Sequence, residues 1–191
     1  MIPSEVLALT ATIYKFDVDL ADADRQVYES LAIQAARHPS ESEARLVTRV
    51  LAYALEYADG IAFSRGGISD PDEPAIAVRD LTGALRVWID IGTPDAGRLH
   101  RAAKAAPRVV VYTHKDPGQL LAQYAGERIH RAEAIELYAI DRGFIAAVAA
   151  RLERRMGFAL SVAERELFLT LGTETLGTET LGGAIVRHPV R

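Results

Sequence analysis

Three carboxylates in this chain are spaced so that a folded sheet can gather them. Glu73 and Asp90 flank what reads as a β-hairpin, and Glu41 falls at the start of the helix before it. Asp90 sits inside the apolar run Val87-Trp88-Ile89-Asp90-Ile91. Strand interiors disfavour Asp, and burying an unpaired carboxylate is costly. An acid kept there needs a partner: a buried base, backbone donors at a strand end, or a metal ion. Three carboxylates at one sheet edge make a hard-oxygen site suited to Mg²⁺, with Mn²⁺ as a substitute. Such an ion activates water and stabilises charge on a phosphate. Glu73 and Asp90 are the expected metal ligands, with Glu41 beside them. Each acid also has a plainer role. Glu41 suits a helix N-terminus through the dipole, Asp72 and Glu73 are ordinary loop residues, and Asp90 can pair with a base from the following helix.

That helix carries Arg98, Arg101, Lys104 and Arg108 along one side, with Leu99, Ala102, Ala103 and Ala106 on the other. The basic stripe can receive phosphates, neutralise Asp90 or simply face solvent. Arg98 and Arg101 are the phosphate candidates. Arg45 is a third, although its i+4 spacing from Glu41 also fits a plain intrahelical ion pair. Tyr112 and Thr113 end an apolar strand near the same edge, where Tyr112 can donate to a substrate or stay partly buried. No glycine-rich phosphate loop, nucleophile elbow, HExxH or dinucleotide fingerprint is present.

The elements that would position these groups follow from pattern. Leu7 to Leu20 and Val27 to Arg37 read as an N-terminal hairpin. His38-Pro39-Ser40-Glu41-Ser42-Glu43 opens a helix with Ser40 as cap and Glu43 completing a capping box. Val47, Val50, Leu51, Ala54 and Ala58 continue it toward Asp59-Gly60. Strands are expected at Ile61–Arg65, Ala75–Val78, Leu85–Ile91, Val109–Thr113 and Ile135–Ile140. Helices are expected at Asp95–Ala106, Gln119–Ala125 and Arg142–Arg155, and a closing hairpin at Phe158–Val162 and Glu166–Leu171. Alternating strands and helices favour a mixed β-sheet flanked by helices, of the α+β or α/β class. Residues 1–172 form one expected domain. Residues 173–191 are set apart as a tail, exposed and mobile or extending a strand, because LGTET repeats in tandem at 171–180.

The 191 residues include no cysteine and carry a net charge of −4. Disulfides and thiolate chemistry are thereby excluded. The acidic balance argues against broad electrostatic binding of nucleic acid, though not against a local basic patch. There is no secretory start and no long uncharged apolar run, so the expectation is a cytoplasmic protein outside the membrane.

Taken together, ATIYK at Ala11–Lys15, ARHPSE at Ala36–Glu41, DEP at Asp72–Pro74, WIDIG at Trp88–Gly92 and the following Pro94-Asp95 resemble the YaeQ family. The resemblance runs from about Leu9 to Leu171. It implies a core like that of the PD-(D/E)XK nucleases, a restriction-endonuclease-like mixed sheet with flanking helices. In such nucleases one acid precedes a strand and an acid–any–Lys triplet lies on the next. Carried over by position, Glu41, Glu73 and Asp90 take the acidic roles, with Asp72 or Asp80 as substitutes for Glu73. The triplet lysine is missing, because Gly92 stands two residues after Asp90. Arg101, then Lys104, are the cations expected to replace it.

Two functions follow. One is a Mg²⁺-dependent phosphodiesterase acting on nucleic acid, with Glu41, Glu73, Asp90, Arg101 and Lys104 in its catalytic site. The other is a non-catalytic domain of the same fold that binds a nucleic-acid or protein partner.

Overall fold

A computed structural model describes residues 11–64, 72–173 and 177–190. Its architecture is mixed α+β, with one ten-stranded sheet ordered β2-β1-β8-β9-β10-β7-β6-β5-β4-β3. The N-terminal hairpin pairs β1 (Thr12–Asp22) with β2 (Val27–Arg37) from Thr12↔Arg37 to Asp22↔Val27. The helix α1 (Glu43–Leu55) follows. Short strands β3 (Ile61–Phe63) and β4 (Ile76–Arg79) lead antiparallel into β5 (Leu85–Ile91). After α2 (Ala96–Ala105) comes β6 (Arg108–Thr113), parallel to β5. After α3 (Pro117–Tyr124) comes β7 (Glu136–Ile140), parallel to β6. Helix α4 (Arg142–Ala149) returns the chain to β8 (Arg155–Ala163), parallel to β1, and β9 (Glu166–Thr173).

Several boundaries differ from expectation. The α1 cap is Ser42, whose hydroxyl accepts from Arg45 N at 3.2 Å. Ser40 instead lies 2.6 Å from His38 Nδ1, and Glu41 falls before the helix. Helix α4 stops at Ala149, and Arg155, expected at its end, begins β8. Arg108 leaves the α2 stripe to begin β6, where Glu56 and Glu136 both bind its guanidinium. The expected hairpin start at Leu7, the expected strand end at Arg65 and residues 66–71 lie outside the described residues.

Of the two forms expected for the tail, its described residues take the strand-extending one. Gly177–Pro189 form β10, a strand within the sheet. Its first part pairs with β9, from Gly177↔Thr173 to Ala184↔Glu166. Its second part pairs with β7, from Ile185↔Ile140 to Pro189↔Glu136. One strand thus joins the two halves of the sheet.

Two apolar clusters explain the layering. Tyr14, Phe16, Val18 and Leu20 alternate inward from β1 and share one core with Leu46, Val50 and Leu51 of α1, Phe144 and Ile145 of α4, and Ile89 of β5. Helices α1 and α4 are therefore covered from both halves of the sheet. The opposite face of β5–β7, with Trp88, Val109, Val111 and Leu137, is covered by Leu99 of α2 and Leu120 and Tyr124 of α3. Strands buried on both faces read as continuous apolar runs, as Val109–Val111 do.

At Gly183 of β10 a Cβ would lie 2.5 Å from the Phe144 Cβ of α4. Gly183→Ala is expected to destabilise the fold by about 1–3 kcal/mol through overpacking. That sign opposes the small gain alanine normally brings to a strand. Urea denaturation measures it, and an unchanged midpoint would show that β10 does not pack on α4 in solution. Among the described residues, no helix is long and apolar enough to cross a membrane.

Candidate functional site

Strands β5, β6 and β7 run parallel, so their carboxyl ends open at one edge of the sheet, the usual place for ligands in such sheets. The β4–β5 register, Ile76↔Ile89, brings Glu73 to the same edge as Asp90. A cavity of about 380 Å³ lies there, lined by Ser42, Arg45, Glu73, Asp90, Gly92, Arg98, His114 and Lys115 among others. Glu73, Asp90, Arg45 and Arg98 are thus brought together.

Asp90 has its partner within the protein. It is buried, and Arg98 donates from Nε to Oδ2 at 2.8 Å and from Nη2 to Oδ1 at 2.7 Å. Such a fork–fork pair is stronger and more directional than a single contact. Three features hold Arg98 in place. Asp95 caps α2 by accepting from Arg98 N at 2.7 Å. Arg98 Nη2 also donates to the Glu73 carbonyl at 2.7 Å. The guanidinium lies 5.4 Å over the Trp88 ring, within cation–π range.

Glu41 is held just as firmly. Its Oε1 accepts from Arg45 Nη1 at 2.8 Å and Arg49 Nε at 3.0 Å, and its Oε2 from Arg49 Nη2 at 2.8 Å. It is buried behind the cavity and does not line it. Glu73 accepts from Ser64 Oγ at 2.7 Å. Both oxygens of Asp90 and of Glu41 are therefore engaged by arginine. Among the described residues, no three His, Cys, Asp or Glu side chains are grouped to hold a metal. As disposed, this donor set does not fit a magnesium ion.

The remaining candidates lie elsewhere. Asp80 closes the β4–β5 turn at the far end of β5, accepting from Thr82 Oγ1 at 2.6 Å, Ala84 N at 3.0 Å and Arg86 Nε at 2.7 Å. The Thr82 hydroxyl, the Ala84 and Thr82 amides and Arg86 lower its carboxyl to about 2. Asp72 is exposed. Arg101 and Lys104 are exposed on α2 and are not among the residues lining the cavity. Tyr112 faces the other side, donating to Glu56 Oε1 at 2.8 Å and stacking on Tyr138 at 5.3 Å.

Gly92 carries no side chain to the site, and its φ of +93° turns the chain out of β5 toward α2. A Cβ built there would stand 4.0 Å from Arg45 Nε. The cation facing Gly92 is therefore Arg45 of α1, not Arg101 or Lys104 further along α2.

Pattern reading missed His114 and Lys115, which follow Thr113 at the end of β6. The available signal was a histidine closing an apolar strand at the edge already assigned to Tyr112 and Thr113. His114 is 5 % exposed. The Thr48 hydroxyl spends its one proton on Ala44 O at 2.7 Å, as helical threonines do. Thr48 Oγ1, 2.9 Å from His114 Nδ1, must then accept from it. The neutral ring is protonated at Nδ1, and Nε2 is a bare acceptor. Nε2 is buried with no partner among the described residues.

Burial, then Lys115, Arg142 and Arg45, lower the His114 imidazole to about 4 from 6.5. Between those values the unfolded chain binds a proton that the folded chain refuses. Stability therefore falls as pH drops from 6.5 to 4, by at most about 3 kcal/mol. Urea titrations of the wild type and His114→Phe across that window should differ by this slope. Parallel curves would show that His114 titrates normally.

The comparisons bear on what this site belongs to. The family model described as YaeQ protein matches residues 7–180. The protein of Escherichia coli (strain K12) described as Uncharacterized protein YaeQ is 32% identical over 166 residues, covering 86% of this chain and 91% of the relative. The relative from Salmonella typhi is 31% identical over the same extent. The crystal structure of YaeQ protein from Pseudomonas syringae superposes with a TM-score of 0.76 at 30% identity, over 92% of this chain and 96% of that one. The YaeQ protein from Xanthomonas axonopodis pv. citri gives 0.79 at 30% identity, over 94% of this chain and all of that one (100%). A family match over most of the chain, relatives above 30% identity and solved structures with the same fold agree: the chain belongs to the YaeQ family.

Proposed function

We propose that this chain is a non-catalytic binding domain with a nuclease-like core, and that it holds a nucleic-acid partner by its phosphates at the carboxyl ends of β5–β7. The observation that carries the reading is the Asp90–Arg98 fork. A nuclease-like site needs Asp90 as an open metal ligand, and both its oxygens are occupied by the half-buried Arg98 guanidinium. Glu41 is occupied in the same way by Arg45 and Arg49. What the site offers a ligand is cationic. Glu41 balances only one of its two arginines, and Lys115 makes no ion pair among the described residues. Asp95, Asp116 and Asp141 are committed to helix caps, accepting from Arg98 N, Gly118 N and Phe144 N; Asp90 is balanced by Arg98, and Glu73, the remaining acid of the cavity, accepts from Ser64 Oγ. A local patch of this kind contacts few phosphates, so binding should show only a shallow salt dependence.

The test is titration of a labelled single-stranded oligonucleotide at two salt concentrations, followed by analysis of the strand after incubation with Mg²⁺ or Mn²⁺. The expected result is binding that Lys115→Ala weakens and a strand that stays intact. Cleavage that disappears in Asp90→Asn would overturn this reading. It would favour a second one, a Mg²⁺-dependent phosphodiesterase, which is supported by Glu73 and Asp90 lining one cavity. That enzyme would have to move Arg98 away from Asp90 before its acids could hold a metal.

A further inference from the structure

A second cavity, of about 360 Å³, lies beside the first and is lined by Lys115, Arg142 and His188 among others. His114 and Lys115 line both cavities, so His114 forms the wall between them. The two together span the carboxyl ends of three parallel strands, roughly 10 Å at the usual strand spacing. Along this groove the His114 Nε2 lone pair is the one buried side-chain acceptor with no partner among the described residues. Trp88 Nε1, the other such atom, is a donor.

An acceptor buried without a donor is destabilising, and a ligand O–H or N–H that reaches it recovers that loss. Thr48 holds the ring in the required tautomer by accepting from Nδ1 on the α1 side. Burial keeps the ring neutral, reinforced by Lys115, Arg142 and Arg45, and these cations favour an anionic ligand beside it. The wall residue thus asks for a hydrogen-bond donor, while Lys115 and Arg45 beside it ask for negative charge.

We infer that His114 Nε2 is a specificity-determining acceptor: it selects organic phosphates that carry a hydroxyl or N–H donor next to the phosphate, with Lys115 and Arg45 holding the phosphate. This rests on the proposed reading that the site binds phosphate. A deoxyribose phosphodiester or a simple alkyl phosphate would satisfy the cations and leave Nε2 unpaired. A phosphate beside a sugar hydroxyl would satisfy both. The same chemistry is present in a free nucleoside or sugar phosphate and at the end of a nucleic-acid strand.

The test uses two probes of equal charge, glycerol 3-phosphate and propyl phosphate, titrated calorimetrically at pH 8. The wild type should bind the first about tenfold more tightly, the scale of one hydrogen bond to a buried group. In His114→Phe the ratio should fall to near one, whereas Lys115→Ala should weaken both probes alike. Should the phenylalanine variant fail to fold, the ¹⁵N shift of His114 Nε2 in the wild type gives the same answer. It should move with glycerol 3-phosphate and stay fixed with propyl phosphate. Equal binding of the two probes by the wild type, or a preference retained in His114→Phe, overturns the inference and leaves phosphate binding intact. If neither probe binds, the phosphate reading falls and this inference with it. Where glycerol 3-phosphate is preferred, a 3′-phosphorylated dinucleotide and a free nucleoside 3′-monophosphate separate the two sources by which binds more tightly.

Discussion

Arg98→Met is expected to destabilise the protein by about 3–5 kcal/mol, the cost of leaving a buried carboxylate without its partner. Asp90 has a 3 % exposed side chain and Arg98 a 19 % exposed one, so solvent offers little compensation. The double variant Asp90→Asn/Arg98→Met should recover much of the loss, because the charge that needed pairing is gone. Urea denaturation of the two singles and the double gives the coupling between the residues directly. Millimolar Mg²⁺ should leave the wild-type midpoint unchanged, because ligand binding raises stability only where a site exists in the folded state. A rise in the wild-type midpoint with Mg²⁺, lost in Asp90→Asn, would mean that Arg98 yields to a metal. The ion pair would then be a closed state of a metal site and not its replacement.

Glu41→Ala should cost a similar amount, about 3–5 kcal/mol, for the opposite reason. Removing this carboxylate leaves the Arg45 and Arg49 guanidiniums facing each other, and Arg49 is only 7 % exposed. Arg49 keeps its bond to Ala36 O and its place over Phe63, so it cannot easily turn to water. Arg45 borders the cavity and can turn toward it. Glu41→Gln should fall between the wild type and the alanine variant, since an amide oxygen can still accept one bond. Chemical denaturation of both variants decides the matter. Loss below about 1 kcal/mol in Glu41→Ala, the scale of a surface pair, would mean the buried network carries little energy.

Much of the architecture was legible from pattern because local rules and tertiary demands agree. The hairpin alternates in period two, and the bonding from Thr12↔Arg37 to Asp22↔Val27 realises it in full. Apolar positions at helical spacing mark the buried face of α1, and Asp95 caps α2 where the pattern begins. The Asp–Leu–Thr–Gly turn between β4 and β5 closes as its residues suggest, with Gly83 at a φ of +84°. The pattern leaves the tail open between a mobile and a strand-extending form, because a tandem LGTET looks like low complexity. Its β10 portion is glycine- and threonine-rich at the β9 end, and only the Ala184–Val186 stretch has ordinary strand character. Its place in the sheet comes from two partners, β9 and β7, that are distant in sequence from one another.

The site divides along the same line. The chain alone established that Asp90 stands in an apolar strand and must have a partner, that Glu73 comes to the same edge, and that a basic helix follows. It also established that Gly92 denies the site a side chain at the position after next. Which guanidinium answers Asp90 was decided by how α2 leaves β5. Capping by Asp95 places Arg98 in the first turn, directly over the strand end, and carries Arg101 and Lys104 one and two turns away toward solvent. Whether Glu41 reaches the cavity was likewise decided by packing, since Arg45 and Arg49 project from α1 between them. The tautomer of His114, and with it the role of Nε2, was decided only when α1 was laid against β6 and Thr48 Oγ1 accepted from Nδ1–H. Residue type sets what a side chain can do, and local spacing sets which neighbours on one element it can meet. Which charge neutralises which across elements depends on register and on helix entry angle, and those exist only once the sheet has formed.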